Sequence, residues 1–281
     1  MERLDNHVPL HFLLTIDDGH RAPGIRALYD GLKTAGHQVS MVAPSFEQSA
    51  TSMGVTSRRN LALEQLEDNS WHLDGQPVDT VLVALRHLLE DNPPDLVVSG
   101  INFGPNVGTA LYMSGTIGAA IMASLNGVPA IAVSAGMRFD EVGTEFPSTH
   151  DVLEPAAEFI CSVVRSLQST VGRDGRLLPR DVLLNINYPA LPKNQIRGVL
   201  HPEVSAGHII DLAYRRCDET GHVIPRFRAG VDPEQPHKED GDVRAHMEGF
   251  ITISAVRPRW NPPAGQARKL RERLGGLGLN F

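Results

Sequence analysis

The sequence predicts an α/β fold: a Rossmann-like, doubly wound, mostly parallel sheet with a smaller C-terminal portion. Three observations carry the prediction. Short apolar runs alternate with amphipathic helical patterns from residue 11 to about residue 190. The runs are apolar at consecutive positions, as expected of strands covered by helices on both faces. Proline and glycine fall where helix ends tolerate them.

In order, "HFLLT" (11–15) reads as the first strand, Pro23–Ala35 as a helix with Pro23 in its first turn and Gly36 as its stop, and "QVSMVAP" as the second strand. Residues 45–75 form a polar excursion. "PVDTVLVALRHLLEDN" then reads as an amphipathic helix, and "PDLVVSGIN" as a buried strand ending in polar residues. "SGTIGAAIMASLNG" is a helix of small residues stopped by Gly127, and "VPAIAVSAG" is the fourth strand. A helix over 151–170 and the strand "DVLLNINYP" close the alternation. The domain boundary is placed at 192, with residues 1–192 as the Rossmann-like catalytic domain and 193–281 as the smaller portion. That portion carries turn signals such as "DETGHV", a strand "GFITISAV" (249–256), and a short helix from Gln266 to Leu274 closed by Gly275 and Gly276.

Composition excludes several functions. The formal net charge is −7, from 26 Lys and Arg against 33 Asp and Glu interspersed over most of the chain, so no broad basic surface exists for extended DNA or RNA. The two cysteines, Cys161 and Cys217, lie far apart without metal-type spacing and read as reduced thiols. "MERLDNHVPLHFLLTIDDG" contains an apolar stretch too short for a signal segment or a membrane span, so a soluble, cytoplasmic protein without a membrane partner is expected.

Ligands of open parallel sheets bind beyond the carboxyl ends of the strands. Four junctions share that crest here: "DDG" (17–19), "SFEQSATS" (45–52), "SGINFGPNVG" (99–108) and the helix entry "YMSGTIG". They offer the carboxylates Asp17 and Asp18, the hydroxyls of Ser49, Thr51 and Ser52, and the amides Asn102 and Asn106, with no cysteine or histidine cluster. Such all-oxygen donors suit a hard divalent cation, Mg²⁺ or Mn²⁺, which would turn the repulsion between two adjacent acids into attraction. A lone "DDG" also reads as one aspartate capping a helix and the other solvated. Ser114, Gly115 and Thr116 open a small-faced helix whose N–H groups and dipole favour a phosphate; an ordinary cap on a tightly packed helix reads equally well. "GINFGPNVG" has the spacing of neither a dinucleotide fingerprint nor a P-loop. A cation facing a phosphate site implies metal-assisted phosphate-ester hydrolysis. His20 reads as a solvent-exposed loop histidine rather than a catalytic acid.

"LLTIDDGHRAPGIRAL", "VAPSFEQSA", "DLVVSGINFGPNVG", "MSGTIGAA" and "VPAIAVS", in this order, resemble the SurE family of stationary-phase survival proteins. The match covers roughly residues 11–135, and "NINYP" and "GDVRAHMEGFITISAVRP" resemble later blocks of the family. The resemblance implies a 5'/3'-nucleotidase, a metal-dependent phosphoric monoester hydrolase acting on nucleoside 5'- or 3'-monophosphates or another small phosphomonoester. It implies one divalent cation per subunit held by Asp17, Asp18, Ser49 and Asn102, with Asn106, Ser114, Gly115 and Thr116 at the phosphate. Thr51 and Ser52 gain no ligand role from it. It further implies an extended hairpin within residues 200–231, a tail exchanged between subunits, and a homodimer or homotetramer.

Three places depart from the family's pattern: Ile16 stands where an asparagine precedes the acids, "GQPVDTV" (75–81) replaces "GTPADCV", and Met113 replaces the tyrosine before "SGT". The expected mechanism is attack in line by a metal-activated water, oriented or deprotonated by one of the catalytic acids Asp17 and Asp18, with Asp17 preferred; covalent attack by an aspartate is an open alternative. Ile16 motivates a second reading, a catalytically weak metal- or nucleotide-binding sensor or scaffold. A nicotinamide- or nucleotide-sugar-binding Rossmann enzyme is disfavoured because "DDGHRAPG" puts acids where its phosphate would sit.

Overall fold

The computed structural model describes residues 8–141, 147–172, 174–217, 220–230, 240–258, 261 and 264–274. Strand β1 (His11–Thr15), helix α1 (Pro23–Thr34) and β2 (Gln38–Pro44) form the expected β-α-β unit. Strands β3 (Leu63–Glu67) and β4 (Ser70–Leu73) follow, then α2 (Pro77–Val83), which widens into a π-helical turn over Ala84–Leu88. The alternation continues through β5 (Leu96–Phe103), α3 (Gly115–Leu125), β6 (Ala130–Ala135), α4 (Pro147–His150), α5 (Leu153–Ser169) and β7 (Leu183–Tyr188). The remainder holds β8 (Val199–Leu200), β9 (Ile210–Arg216), β10 (Val223–Ala229), α6 (Gly241–Met247), β11 (Ile251–Val256) and α7 (Ala264–Leu274).

Nine strands form one sheet in the order β3-β4-β2-β1-β5-β6-β7-β11-β8. From β4 to β7 every neighbouring pair is parallel. Antiparallel β3 closes one edge and antiparallel β11, with β8 beside it, the other. The chain moves outward from β1 through β2 to β4, then returns to β5 and moves the other way. The switch point therefore lies between β1 and β5, and the crevice at their carboxyl ends is where a ligand is expected.

Period-two alternation divides the core. Phe12, Leu14 and Ile16 pack toward α1 and α5, while Leu13 joins the cluster under α2 and α3. Helix α1 buries Ile25, Leu28 and Leu32 on one stripe. Each fully buried aliphatic side chain contributes on the order of 1.5–3 kcal/mol. Helix α3 differs: Gly115, Gly118, Ala119, Ala120 and Ala123 are all buried, which brings its backbone close to the sheet and to neighbouring loops.

The polar excursion contains two strands that the sequence pattern does not predict. "LEQLE" reads as polar because β3 is an edge strand exposed from Glu64 to Glu67, with nothing to cover. Its partner β4 extends the parallel sheet beside β2. At the C-terminal side, β9 and β10 form a separate antiparallel hairpin inside the expected 200–231 span. The expected stop at Gly275 and Gly276 lies outside the described residues, as do the rest of the tail and Asp218 and Glu219 of "DETGHV". Among the described residues no helix is long and apolar enough to cross a membrane.

Candidate active site

Asp17 and Asp18 immediately follow β1, at the switch point. Asp17 is 3% exposed, and both its oxygens are engaged by Thr116: the hydroxyl donates to Oδ1 at 2.5 Å and the backbone N–H to Oδ2 at 3.2 Å. Asp18 Oδ2 accepts from the backbone N–H of Phe103, at the end of β5, at 3.0 Å. The acids are thus gripped from α3 on one side and β5 on the other.

Gly115 makes this closeness possible. A Cβ there would lie 3.0 Å from the Asp17 Cβ and 3.1 Å from its Oδ2. Gly118 does the same for the loop after β2, whose Ser52 carbonyl occupies the space a side chain would need. That loop crosses from β1 to α3. Gln48 N–H donates to the Asp17 carbonyl at 2.7 Å, Ser52 N–H to the Met113 carbonyl at 2.9 Å, and the Ser52 hydroxyl to the Tyr112 carbonyl at 2.8 Å. The Thr51 hydroxyl donates to the Gln48 carbonyl at 2.7 Å, so both of these hydroxyls serve the loop itself.

The two carboxylates, Asp17 buried and Asp18 half-buried, receive three hydrogen bonds between them. Burial, more than any other cause, pushes Asp17 above the ordinary carboxylate range, against the Thr116 hydrogen bonds. Asp18 is pushed up to about 8, first by burial and then by the charge of Asp17, with the Phe103 N–H acting in the opposite direction. Glu47 adds negative charge against both. No motif in the sequence had singled out Glu47; its Oε1 accepts from the Ser49 N–H at 2.9 Å. Ser49 itself is exposed; its N–H donates to Glu47, and the preceding residue, Gln48, donates to the Asp17 carbonyl.

The two asparagines are set differently. Asn102 Nδ2 donates to the carbonyls of Gly104 at 2.7 Å and Phe103 at 3.3 Å, so its hydrogens are committed and Oδ1 is the open end. Asn106 Nδ2 donates to Ser134 Oγ at 2.9 Å, which leaves one amide hydrogen. Asn106 is anchored by two residues whose signal lay in the alternation of "NINYP": the amides of Asn185 and Asn187 donate to its carbonyl at 2.8 and 3.2 Å, and Asn187 Oδ1 accepts its N–H at 2.7 Å. Asp242, at the start of α6, supports the same loop by accepting from Gly108 N–H at 3.0 Å and Ser205 N–H at 2.8 Å.

At the entry of α3, Ser114 is the N-cap and its Oγ accepts from Ile117 N–H at 3.1 Å. The Ser114 N–H donates to the Ala110 carbonyl and the Thr116 N–H to Asp17. Among the described residues the Gly115 N–H is therefore the one early amide of α3 without an acceptor. The Ser114 hydroxyl proton is open as well. The Thr116 hydroxyl holds Asp17 instead of facing outward.

Ile16 is fully buried in the α1/α5 core, on the same face of the chain as Phe12 and Leu14. One expectation changes. His20 is half-buried, not exposed: its ring stacks on His72 at 4.5 Å, and burial followed by the His72 charge lowers its pKa. His72 Nδ1 lies 2.8 Å from Ser45 Oγ, so the stack fastens the Asp17–Gly19 turn to the end of β2.

An open groove of about 1410 Å³ between α1 and α5 contains none of the predicted site residues. Among the described residues no three His, Cys, Asp or Glu side chains converge as a metal cluster. The fit to a cation is therefore judged on the crest: two under-satisfied carboxylates beside an amide whose open end is oxygen are a hard-donor set.

The family model for survival protein SurE matches residues 12–209. A protein of Thermosynechococcus vestitus named 5'-nucleotidase SurE is 36% identical over 256 residues, covering 88% of this chain and 90% of that protein. One of the same name from Carboxydothermus hydrogenoformans is 38% identical over 254 residues, with 88% and 90% covered. The crystal structure of the SurE protein from Aquifex aeolicus superposes with a TM-score of 0.73 at 27% identity, covering 94% of this chain and 99% of that one. With the crest, the switch point and the sequence agreeing over nearly the same span, the chain belongs to the survival protein SurE family.

Proposed function

We propose that the chain is a nucleotidase that hydrolyses nucleoside 5'- or 3'-monophosphates to nucleoside and phosphate, using one divalent cation, Mg²⁺ or Mn²⁺, per subunit. The observation that carries this is the juxtaposition of two adjacent carboxylates, Asp17 buried and Asp18 half-buried, with the Gly115 N–H at the start of α3, which has no acceptor among the described residues. Relatives named 5'-nucleotidase SurE support the substrate class.

Asp17, Asp18, the Asn102 Oδ1 and the Ser49 hydroxyl would hold the cation, which when bound would supply positive charge to a phosphoryl oxygen and make water nucleophilic near neutral pH. The Gly115 N–H, the Ser114 hydroxyl and the remaining Asn106 amide hydrogen would donate to the other phosphoryl oxygens, where charge grows in the transition state. Thr116 acts as the residue that orients Asp17. Asp18, whose Oδ1 accepts no hydrogen bond among the described residues, is better disposed than Asp17 to take a proton from the attacking water. Residues 1–192 would carry the chemistry and 193–281 the contacts of a homodimer or homotetramer, in the cytoplasm.

The test is phosphate release from nucleoside 5'- and 3'-monophosphates and p-nitrophenyl phosphate with Mn²⁺, Mg²⁺ or EDTA, comparing the native chain with Asp17→Asn. Metal-dependent release that collapses in the variant is the expected result. A folded protein that binds Mn²⁺ yet releases nothing above blank would instead be a binding protein.

A further inference from the structure

Resting on the nucleotidase reading, we propose that Phe46, against the turn that carries the acids, and Tyr112, two residues before the entry of α3, form a stacking surface for the base of the nucleotide. Phe46 is 74% exposed, Tyr112 is 69% exposed, and Met113 beside it is 46% exposed. Single exposed apolar residues need no explanation. These come from segments far apart in sequence that are joined by the loop following β2.

Phe46 follows the end of β2, and its backbone lies against the turn that carries the acids: a Cβ on Gly19 would sit 3.1 Å from the Phe46 carbonyl carbon. Tyr112 lies two residues before the N-cap Ser114, and its carbonyl accepts the Ser52 hydroxyl. The loop over the acids thus has Phe46 at its start and is fastened at its far end to Tyr112. Among the described residues neither ring belongs to a hydrophobic cluster, and neither pairs with another ring. Only 5% of the chain is aromatic.

A nucleoside monophosphate seated with its phosphate at Gly115 would carry its base against both rings. Every base presents a flat π-face, and an exposed aromatic ring recovers apolar burial and stacking when a base covers it. The contact reads no base edge. The enzyme should therefore accept all bases, with purines favoured over pyrimidines by their larger face.

The test compares kcat/KM for adenosine 5'-monophosphate, uridine 5'-monophosphate and ribose 5-phosphate, with Mn²⁺ present, in the native chain, Phe46→Ala, Tyr112→Ala and Phe46→Trp. The ratio of the adenosine nucleotide to ribose 5-phosphate should fall about 10-fold in each alanine variant, mainly through KM. It should fall less for uridine and be retained in Phe46→Trp. An unchanged ratio in both alanine variants overturns the stacking surface alone, because the nucleotidase reading stands as long as the native chain hydrolyses the nucleotides. Loss of assembly mass in the alanine variants, with all three substrates impaired equally, would assign the rings to a subunit contact and overturn the proposal. A native chain that hydrolyses none of the three removes the nucleotidase reading together with this one.

Discussion

Asp79 and Asp242 are as deeply buried as Asp17, yet their surroundings differ from the crest in one respect. Asp79 closes the capping box of α2, accepting from Gln76 N–H at 2.9 Å and Thr56 N–H at 3.0 Å. Asp242 accepts from Ser205 and Gly108. Each sits alone and ties together segments distant in sequence through neutral backbone donors. At the crest two acids are neighbours in sequence, share three donors, and face Glu47 besides. Burial raises Asp242 too, but backbone N–H groups from Ser205 and Gly108 oppose it. A chain retains uncompensated like charges where another charge is to arrive, and retains compensated ones where the fold needs a joint.

The sharpest way to break this contrast is Asp18→Asn. Phosphate release should fall more than ~100-fold, since even the partners of metal ligands are worth 10–100-fold. Stability should move the other way. A carboxylate whose folded pKa is raised to about 8 from 3.8 holds its proton more tightly in the folded state, so the metal-free protein loses stability as pH rises through that window. In EDTA, the native Tm should drop between pH 5 and pH 8 more than the variant's does. A variant clearly less stable than the native chain at pH 8 would mean that Asp18 is a structural joint after all.

Asp242→Ala should do the reverse, costing about 2–4 kcal/mol in urea unfolding by leaving the Gly108 and Ser205 amides buried without an acceptor. A cost below roughly 0.5 kcal/mol would erase the distinction between the two kinds of aspartate.

The smallest effect belongs to His246, buried on α6, whose pKa burial lowers to about 4. Its folded state stays neutral where the unfolded chain, near 6.5, has gained a proton. Stability is therefore present above pH 6.5 and is lost as pH falls toward 4, by about 2 kcal/mol between pH 7 and pH 5. Equal acid sensitivity in His246→Gln would trace that limb to other groups.

Much of the crest is legible in the sequence, because strand ends in a parallel sheet share one edge and "DDG", "SGIN" and "SGT" each follow or precede a recognisable element. The burial of Ile16 is encoded there too: alternation continued from Phe12 and Leu14 puts it in the α1/α5 core. The edge pair β3 and β4 is not legible, since an exposed edge strand has no apolar face to betray it. Nor is His20, whose stacking depends on His72 in that same unpredicted ribbon.

By itself the sequence determined the alternation of strands and helices through β7, apart from β3, β4 and α4, and, through five ordered motifs, the family. Those are properties of periodicity and local backbone preference. Only the tertiary structure decided which donors are already committed. Thr116 reads as a phosphate hydroxyl, yet it binds Asp17, 99 positions away, while the Gly115 amide next to it stays open. A hydrogen bond exists or fails over a few tenths of an ångström, and such distances between remote segments are set by the packing of α3 on the sheet, which no local pattern contains.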